Sequence, residues 1–163
     1  MFVDFIVFRE GASPLEKATP NSAGYDIRAW LPEELRECGA YIEKNRTRLI
    51  KTGIALNIPV GMELQIRPRS GLALKHHITV LNSPGTVDSD YCPDCPENLE
   101  KFELGVILHN HGVDGYTVNH GDRIAQGVFC ALPAVELIEA DENVFPYKTE
   151  NQRKGGFGST GNK

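Results

Sequence analysis

No apolar run in this 163-residue chain approaches the roughly 18 to 20 residues that span a bilayer, so a membrane helix is not expected. The opening Met1-Phe-Val-Asp-Phe-Ile6 lacks the basic flank of a secretory signal, and we expect a cytosolic protein. An excess of basic charge is missing too. Seventeen Lys and Arg stand against 22 Asp and Glu, a formal net charge of −5. A general nucleic-acid binder needs a basic face to neutralise phosphates, so stable nucleic-acid binding is not expected and any anion site has to be built locally. Cysteine is scarce. Its four copies include a single Cys-x-x-Cys, Cys92 and Cys95, without the second pair that would close a tetrahedral zinc site. There are no internal repeats, and the length suits one compact domain with a substantial core.

Helical periodicity is also nearly absent, confined to short stretches at 32–36 and 70–75. The dominant pattern is that of strands. Phe2, Asp4, Ile6 and Phe8 alternate with Val3, Phe5 and Val7, a mostly apolar opening that suits a strand covered on both sides. Further short runs at 48–58, 62–67, 78–81, 102–108, 116–118, 123–129 and 135–138 are separated by Gly, Pro and Asn. With sixteen glycines and ten prolines to turn the chain, this spacing predicts an all-β sandwich or barrel.

The last residues carry a distinctive string. Gly155-Gly-Phe-Gly-Ser-Thr-Gly161 follows Arg153 and Lys154. A backbone so poor in Cβ atoms can wrap closely on an oxyanion, with Ser159 and Thr160 adding hydroxyl donors and Arg153 a bidentate cation, while Phe157 stacks on a base. Composition alone fits a disordered Gly/Ser terminus equally well. Four more segments bear on the choice: Ser22-Ala-Gly-Tyr-Asp-Ile-Arg28, Arg67-Pro-Arg-Ser-Gly-Leu-Ala73, Asn82-Ser-Pro-Gly-Thr-Val-Asp-Ser-Asp-Tyr91 and Gly121-Asp-Arg-Ile-Ala-Gln126.

Together and in this order, the five segments resemble the motifs of the trimeric dUTP diphosphatase (dUTPase) family. The resemblance implies a jelly-roll β-barrel, residues 1–145 with an unusual insertion at 92–101, followed by a flexible glycine-rich flap at 146–163. It further implies a homotrimer with shared active sites and Mg²⁺ as cofactor. The reaction implied is water attack on the α-phosphate of dUTP, giving dUMP and pyrophosphate, which limits uracil in DNA and supplies dUMP for thymidylate synthesis.

Residue by residue, the resemblance makes Asp88 the base that activates the water. Alternation would set Asp88 and Asp90 on one face of an extended strand, and the motif selects Asp88. Gln126 is implied to lie near the attacking water and the α-phosphate. Tyr91 would pack on the deoxyribose and exclude a 2′-hydroxyl. The base site is expected in a hairpin between 78–81 and 87–91, where Asn82 and Gly85 stand. Main-chain groups there can complement uracil's edge, although Asn82 is equally an ordinary turn former. Arg69, Ser70 and Gly71 open a short helix and would bind phosphate. Asp26 would hold magnesium through water. The tail contributes Arg153, Phe157, Gly158, Ser159 and Thr160. Arg123 reads as an interface or structural ion pair rather than a substrate contact, and Arg28 has no assigned role.

Two departures from the family pattern stand out. The step Arg153-Lys-Gly-Gly-Phe157 is one residue short, which makes Lys154 a second candidate for the γ-phosphate. After Tyr91 the family commonly has Arg-Gly-Glu, but here Cys92-Pro-Asp-Cys-Pro-Glu-Asn-Leu-Glu-Lys101 precedes Phe102-Glu103-Leu104. We read this insertion as a surface loop, with a metal half-site or a redox pair as alternatives. Two other functional classes are compatible with parts of the pattern: a dCTP deaminase of the same superfamily, against which the tail speaks, and a dUTP-sensing regulator acting through residues 92–101.

Overall fold

The computed structural model describes residues 2–92 and 96–141. In chain order the elements are β1 (Asp4–Val7), β2 (Tyr25–Arg28), α1 (Glu33–Arg36), β3 (Ala40–Ile42), β4 (Thr47–Lys51), β5 (Ile54–Asn57), β6 (Met62–Arg67), α2 (Ser70–His76), β7 (Ile78–Val80) and β8 (Gly85–Val87). A 3₁₀ segment (Pro96–Phe102), β9 (Gly105–Asn110), β10 (Tyr116–Val118) and β11 (Arg123–Ala131) complete the set. Every strand pairing is antiparallel. A four-stranded sheet runs β2-β11-β6-β8 and a three-stranded sheet β4-β9-β7, accompanied by the two-stranded sheets β1-β5 and β10-β3. This is the all-β architecture that the turn-bounded runs predict.

The core follows from period-two alternation. In β9, Val106, Leu108 and Asn110 point inward, while Leu64 and Ile66 do so from β6. They meet Ile27, Ile50, Ala40, Val118 and Ile124 in one apolar cluster. Asn110 is the polar exception, fully buried among aliphatic residues. Its amide donates to the carbonyls of Ile42 at 3.1 Å and Asp114 at 2.8 Å, and its Oδ1 accepts the Gly112 N–H at 2.8 Å. It thereby supplies side-chain partners to three backbone groups around the β9 end. Asn110→Leu is expected to lower the unfolding free energy by at least about 2 kcal/mol, since those groups lose their partners inside the protein. An unchanged urea midpoint would refute that account.

The structure corrects several strand expectations. Residues 48–58 form two strands, because Thr52-Gly53 turns the chain between sheets. Gly53 has φ +73°, and a Cβ there would collide with Ala12 and stand 3.1 Å from the Arg9 Cβ. The opening strand is not covered on both faces: among the described residues β1 pairs only with β5, and Phe5, Ile6 and Val7 remain exposed in the single chain. Residues 78–80 and 85–87 do not form a hairpin. β7 pairs with β9 and β8 with β6, so the 81–84 turn crosses from one sheet to the other. Asp88 and Asp90 accordingly lie in a turn closed by Tyr91 N–H to Asp88 C=O at 3.2 Å, not on one face of a strand.

The chain divides into two units, Met1–Pro133 and Ala134–Lys163. All the elements above belong to the first. The described residues of the second, 134–141, contain no strand, so the run at 135–138 is not paired. Val135, Leu137 and Ile138 are exposed. Among the described residues no helix is long and apolar enough to cross a membrane.

Candidate active site

Antiparallel register builds the first half of the site. Gln126 in β11 stands opposite Asp26 in β2 and Arg67 in β6, so three motifs distant in sequence meet in one row. Arg67 leads through Pro68 to Arg69, which precedes α2. A cleft of about 320 Å³ opens there, lined by Ser22, Gly24, Asp26, Arg69, Ser70, Gly71 and Gln126.

Its electrostatics centre on Asp26, whose side chain is only 14% exposed. Arg69 Nε lies 3.3 Å from Oδ1 and Arg123 Nη1 3.2 Å from Oδ2. Two guanidinium groups on one carboxylate leave the cluster with one net positive charge, an anion site built locally in an acidic protein. The ion pair expected for Arg123 thus has Asp26 as its partner. Arg69 also donates to the Arg123 carbonyl at 3.3 Å, and Arg28 donates to the Gly121 carbonyl at 2.9 Å. The first N–H groups of α2, at Ser70 and Gly71, have no acceptor within the helix. A Cβ on Gly71 would meet nothing, so the cleft is open at that end.

Gln126 is held by its amide, which donates to the Pro68 carbonyl at 3.0 Å. Gly24 makes this placement possible. A Cβ at Gly24 would stand 2.7 Å from the Gln126 Oε1 and 3.2 Å from its Cβ. Sequence reasoning did not single out Gly24, although it lies within the first motif.

The second half is a cleft of about 270 Å³ between the two larger sheets. Ile66, Val80, Val87, Leu104 and Val106 form an apolar floor, and Asn82, Gly85, Tyr91 and Glu103 complete the lining. Its size and apolar floor suit a planar ring with polar edges. Gly85 is buried against Ile66, and a Cβ there would stand 3.1 Å from the Asn82 amide nitrogen, so glycine keeps Asn82 close to the turn. Tyr91 is 41% exposed. Its ring packs edge-on against Phe102, with centroids 6.5 Å apart, and its hydroxyl donates to the Glu103 carbonyl at 3.3 Å.

Glu103 is a residue that sequence reasoning mentioned without assigning a role. Its carboxylate is buried and receives Arg9 in a two-pronged hydrogen bond. The bond to Glu103 raises the pKa of the Arg9 guanidinium, with burial opposing and the charges of Glu103 and Glu100 assisting. Arg9 therefore stays charged at any physiological pH. The Glu of the family's Arg-Gly-Glu step was a signal for Glu103, displaced here by the inserted residues. Nothing in the sequence pointed to Arg9.

The first and second clefts share no lining residue. Asp88 lines neither; it is exposed at the turn after β8. Arg153, Lys154, Phe157, Gly158, Ser159 and Thr160 lie outside the described residues, as does Cys95. The insertion from Pro96 to Phe102 forms 3₁₀ turns interrupted at Asn98, which is exposed. Among the described residues no group of three His, Cys, Asp or Glu could hold a metal ion directly.

The class these observations define is that of all-antiparallel β proteins with a cationic cleft beside a short helix and a separate, mostly apolar cleft between sheets. The family model described as dUTPase matches residues 11–161, and the chain belongs to the dUTPase family. It is 42% identical over 157 residues to the deoxyuridine 5′-triphosphate nucleotidohydrolase of Treponema denticola, covering 96% of each chain. The corresponding protein of Dinoroseobacter shibae is 44% identical, covering 88% of this chain and 84% of its own. Solved structures share the fold. A mutant dUTPase of Staphylococcus bacteriophage 80alpha with dUpNHpp superposes with TM-score 0.77 at 22% identity, covering 98% of each chain. A mutant dUTPase from phage phi11 of S. aureus, described as coordinating a structural Mg(II) ion, has TM-score 0.71 at 22% identity and covers 87% of this chain and 98% of its own.

Proposed function

We propose that this protein is a dUTP diphosphatase, cleaving dUTP to dUMP and pyrophosphate in the cytosol. The observation that carries the reading is the pair of chemically distinct clefts, one cationic and one apolar, at motif residues of the dUTPase family. The apolar cleft takes uracil, with Asn82 and the backbone around Gly85 meeting its polar edge, and Tyr91 packs on the deoxyribose. Arg69, Ser70 and Gly71 bind the phosphates. Asp88 removes a proton from the attacking water, and Gln126, clamped at Pro68 and fitted against Gly24, orients that water toward the α-phosphate. Arg153, Phe157, Gly158, Ser159 and Thr160 close over the substrate, with Lys154 sharing the γ-phosphate.

Both Asp26 oxygens already face guanidinium groups, which disfavours direct coordination of a cation; with the triphosphate's negative charge in the cleft, Asp26 would meet a hydrated Mg²⁺ only through water. When bound, the ion supplies charge neutralisation for the triphosphate. The chain is proposed to act as a homotrimer. Clefts with no lining residue in common, exposed apolar residues on β1, and exposed Val135, Leu137 and Ile138 support a site completed by other copies. Residues 1–145 then form the body and 146–163 the flap.

Incubation of the pure protein with dUTP or dCTP and Mg²⁺ tests the reaction. Pyrophosphate release from dUTP without ammonia release from dCTP is expected. Ammonia from dCTP would assign the protein to the deaminases, and no product from either would leave a binding role.

A further inference from the structure

Glu103 has a side chain only 3% exposed, and a buried carboxylate is costly unless its oxygens are paired and hydrogen-bonded. Here the pairing is extensive. Arg9 Nε donates to Oε1 at 3.0 Å and Nη2 to Oε2 at 2.9 Å, while the Gly53 N–H reaches Oε1 at 2.8 Å and Lys51 Nζ lies 3.3 Å from Oε2. Arg9 is itself restrained. Its guanidinium stacks over Trp30, 4.5 Å from the ring centroid, and reaches Glu100 of the insertion at 3.4 Å. The next residue is fixed as well, with Leu104 N–H on the Ile54 carbonyl at 2.8 Å and the Leu104 carbonyl accepting from Thr52 Oγ1 at 2.7 Å.

What this anchoring holds is the carbonyl that receives the Tyr91 hydroxyl. Tyr91 and Phe102 flank the insertion, so the Tyr91 ring and hydroxyl close the neck of that excursion. The inserted residues between Tyr91 and its support would otherwise let the ring move with the loop. The ionic anchor opposes that freedom from the far side of the neck.

We propose that Arg9, acting through Glu103, is the positioning residue for Tyr91 and thereby sets the preference for deoxyribose over ribose. The inference rests on the reading of Tyr91 as the sugar-facing ring. Arg9 lies before the first motif and touches neither cleft's anion-binding groups, so its effect falls on selectivity more than on turnover.

The measurement is the ratio of kcat/KM for dUTP to that for UTP. Arg9→Ala is expected to lower this ratio about tenfold, the scale of one lost hydrogen-bonded restraint, mainly through KM for dUTP and a gain on UTP. Arg9→Lys should restore part of the loss, because it keeps the charge but not the fork. Tyr91→Phe keeps the ring and removes only the hydroxyl. It should lower the ratio similarly, and the double variant Arg9→Ala/Tyr91→Phe should fall no further, since both changes break one chain of contacts. Tyr91→Ala separates the two ideas. If it leaves the ratio unchanged, the sugar-reading role itself fails; if it collapses the ratio while folded Arg9→Ala retains the wild-type value, positioning by Arg9 is overturned. Should Arg9→Ala not fold, wild-type ratios in both Arg9→Lys and Tyr91→Phe would overturn it equally.

Discussion

Replacing Asp88 by Asn is expected to lower the turnover of dUTP by at least about 10²-fold while affinity for the nucleotide changes little. Asn matches Asp in size and keeps a hydrogen-bonding oxygen, so water can still be held. It cannot accept the proton. The loss therefore belongs to the transition state, where a positioned base typically contributes about 10²–10⁴-fold. Asp88 is exposed at a turn, so the substitution should leave the unfolding midpoint nearly unchanged, and a slow variant will not be an unfolded one. Single-turnover rates and binding of a non-hydrolysable dUTP analogue separate the two effects. Asp90 is the internal control, since it is also exposed and belongs to the same turn. If Asp90→Asn proves the more damaging change, the base has been assigned to the wrong carboxylate.

Deleting residues 152–163 is expected to lower kcat/KM by about 10²–10⁴-fold without dissociating the oligomer. The estimate combines a charge-assisted hydrogen bond from Arg153, about 1.5–3 kcal/mol, with one base stacked on Phe157, about 1–3 kcal/mol. Gel filtration with light scattering checks the assembly. Mixed oligomers carry the stronger test, because sites shared between copies should combine parts from different chains. Tail-deleted chains mixed with Asp88→Asn chains should regain measurable activity, as some sites then hold an intact tail and an intact aspartate. Verified mixed oligomers without recovery would establish that each chain carries a self-contained site.

The all-β class was legible from the sequence because it depends on local properties: period-two alternation, breaks at Gly and Pro, and too little 3.6-residue periodicity for more than two short helices. The chemistry of the motifs was legible for a similar reason. A row of donors, a glycine-rich string or an acid beside a tyrosine can be recognised wherever the chain goes. Where each group stands was decided only by strand pairing. Register alone puts Gln126 opposite Asp26 and Arg67, and it sends β7 and β8 into different sheets, turning an expected hairpin into a crossing. The apolar opening strand reads as doubly covered because alternation records which residues avoid water, not which surface meets them. Among the described residues of the single chain β1 has one partner strand, and Phe5, Ile6 and Val7 remain exposed. Arg9 and Glu103 mark the clearest boundary between the two sources. They are separated by 94 positions, and their pairing depends on Gly53 adopting a positive φ that turns the chain beneath them. No local pattern encodes that meeting; a buried carboxylate requires a cation, and only the folded chain determines which one reaches it.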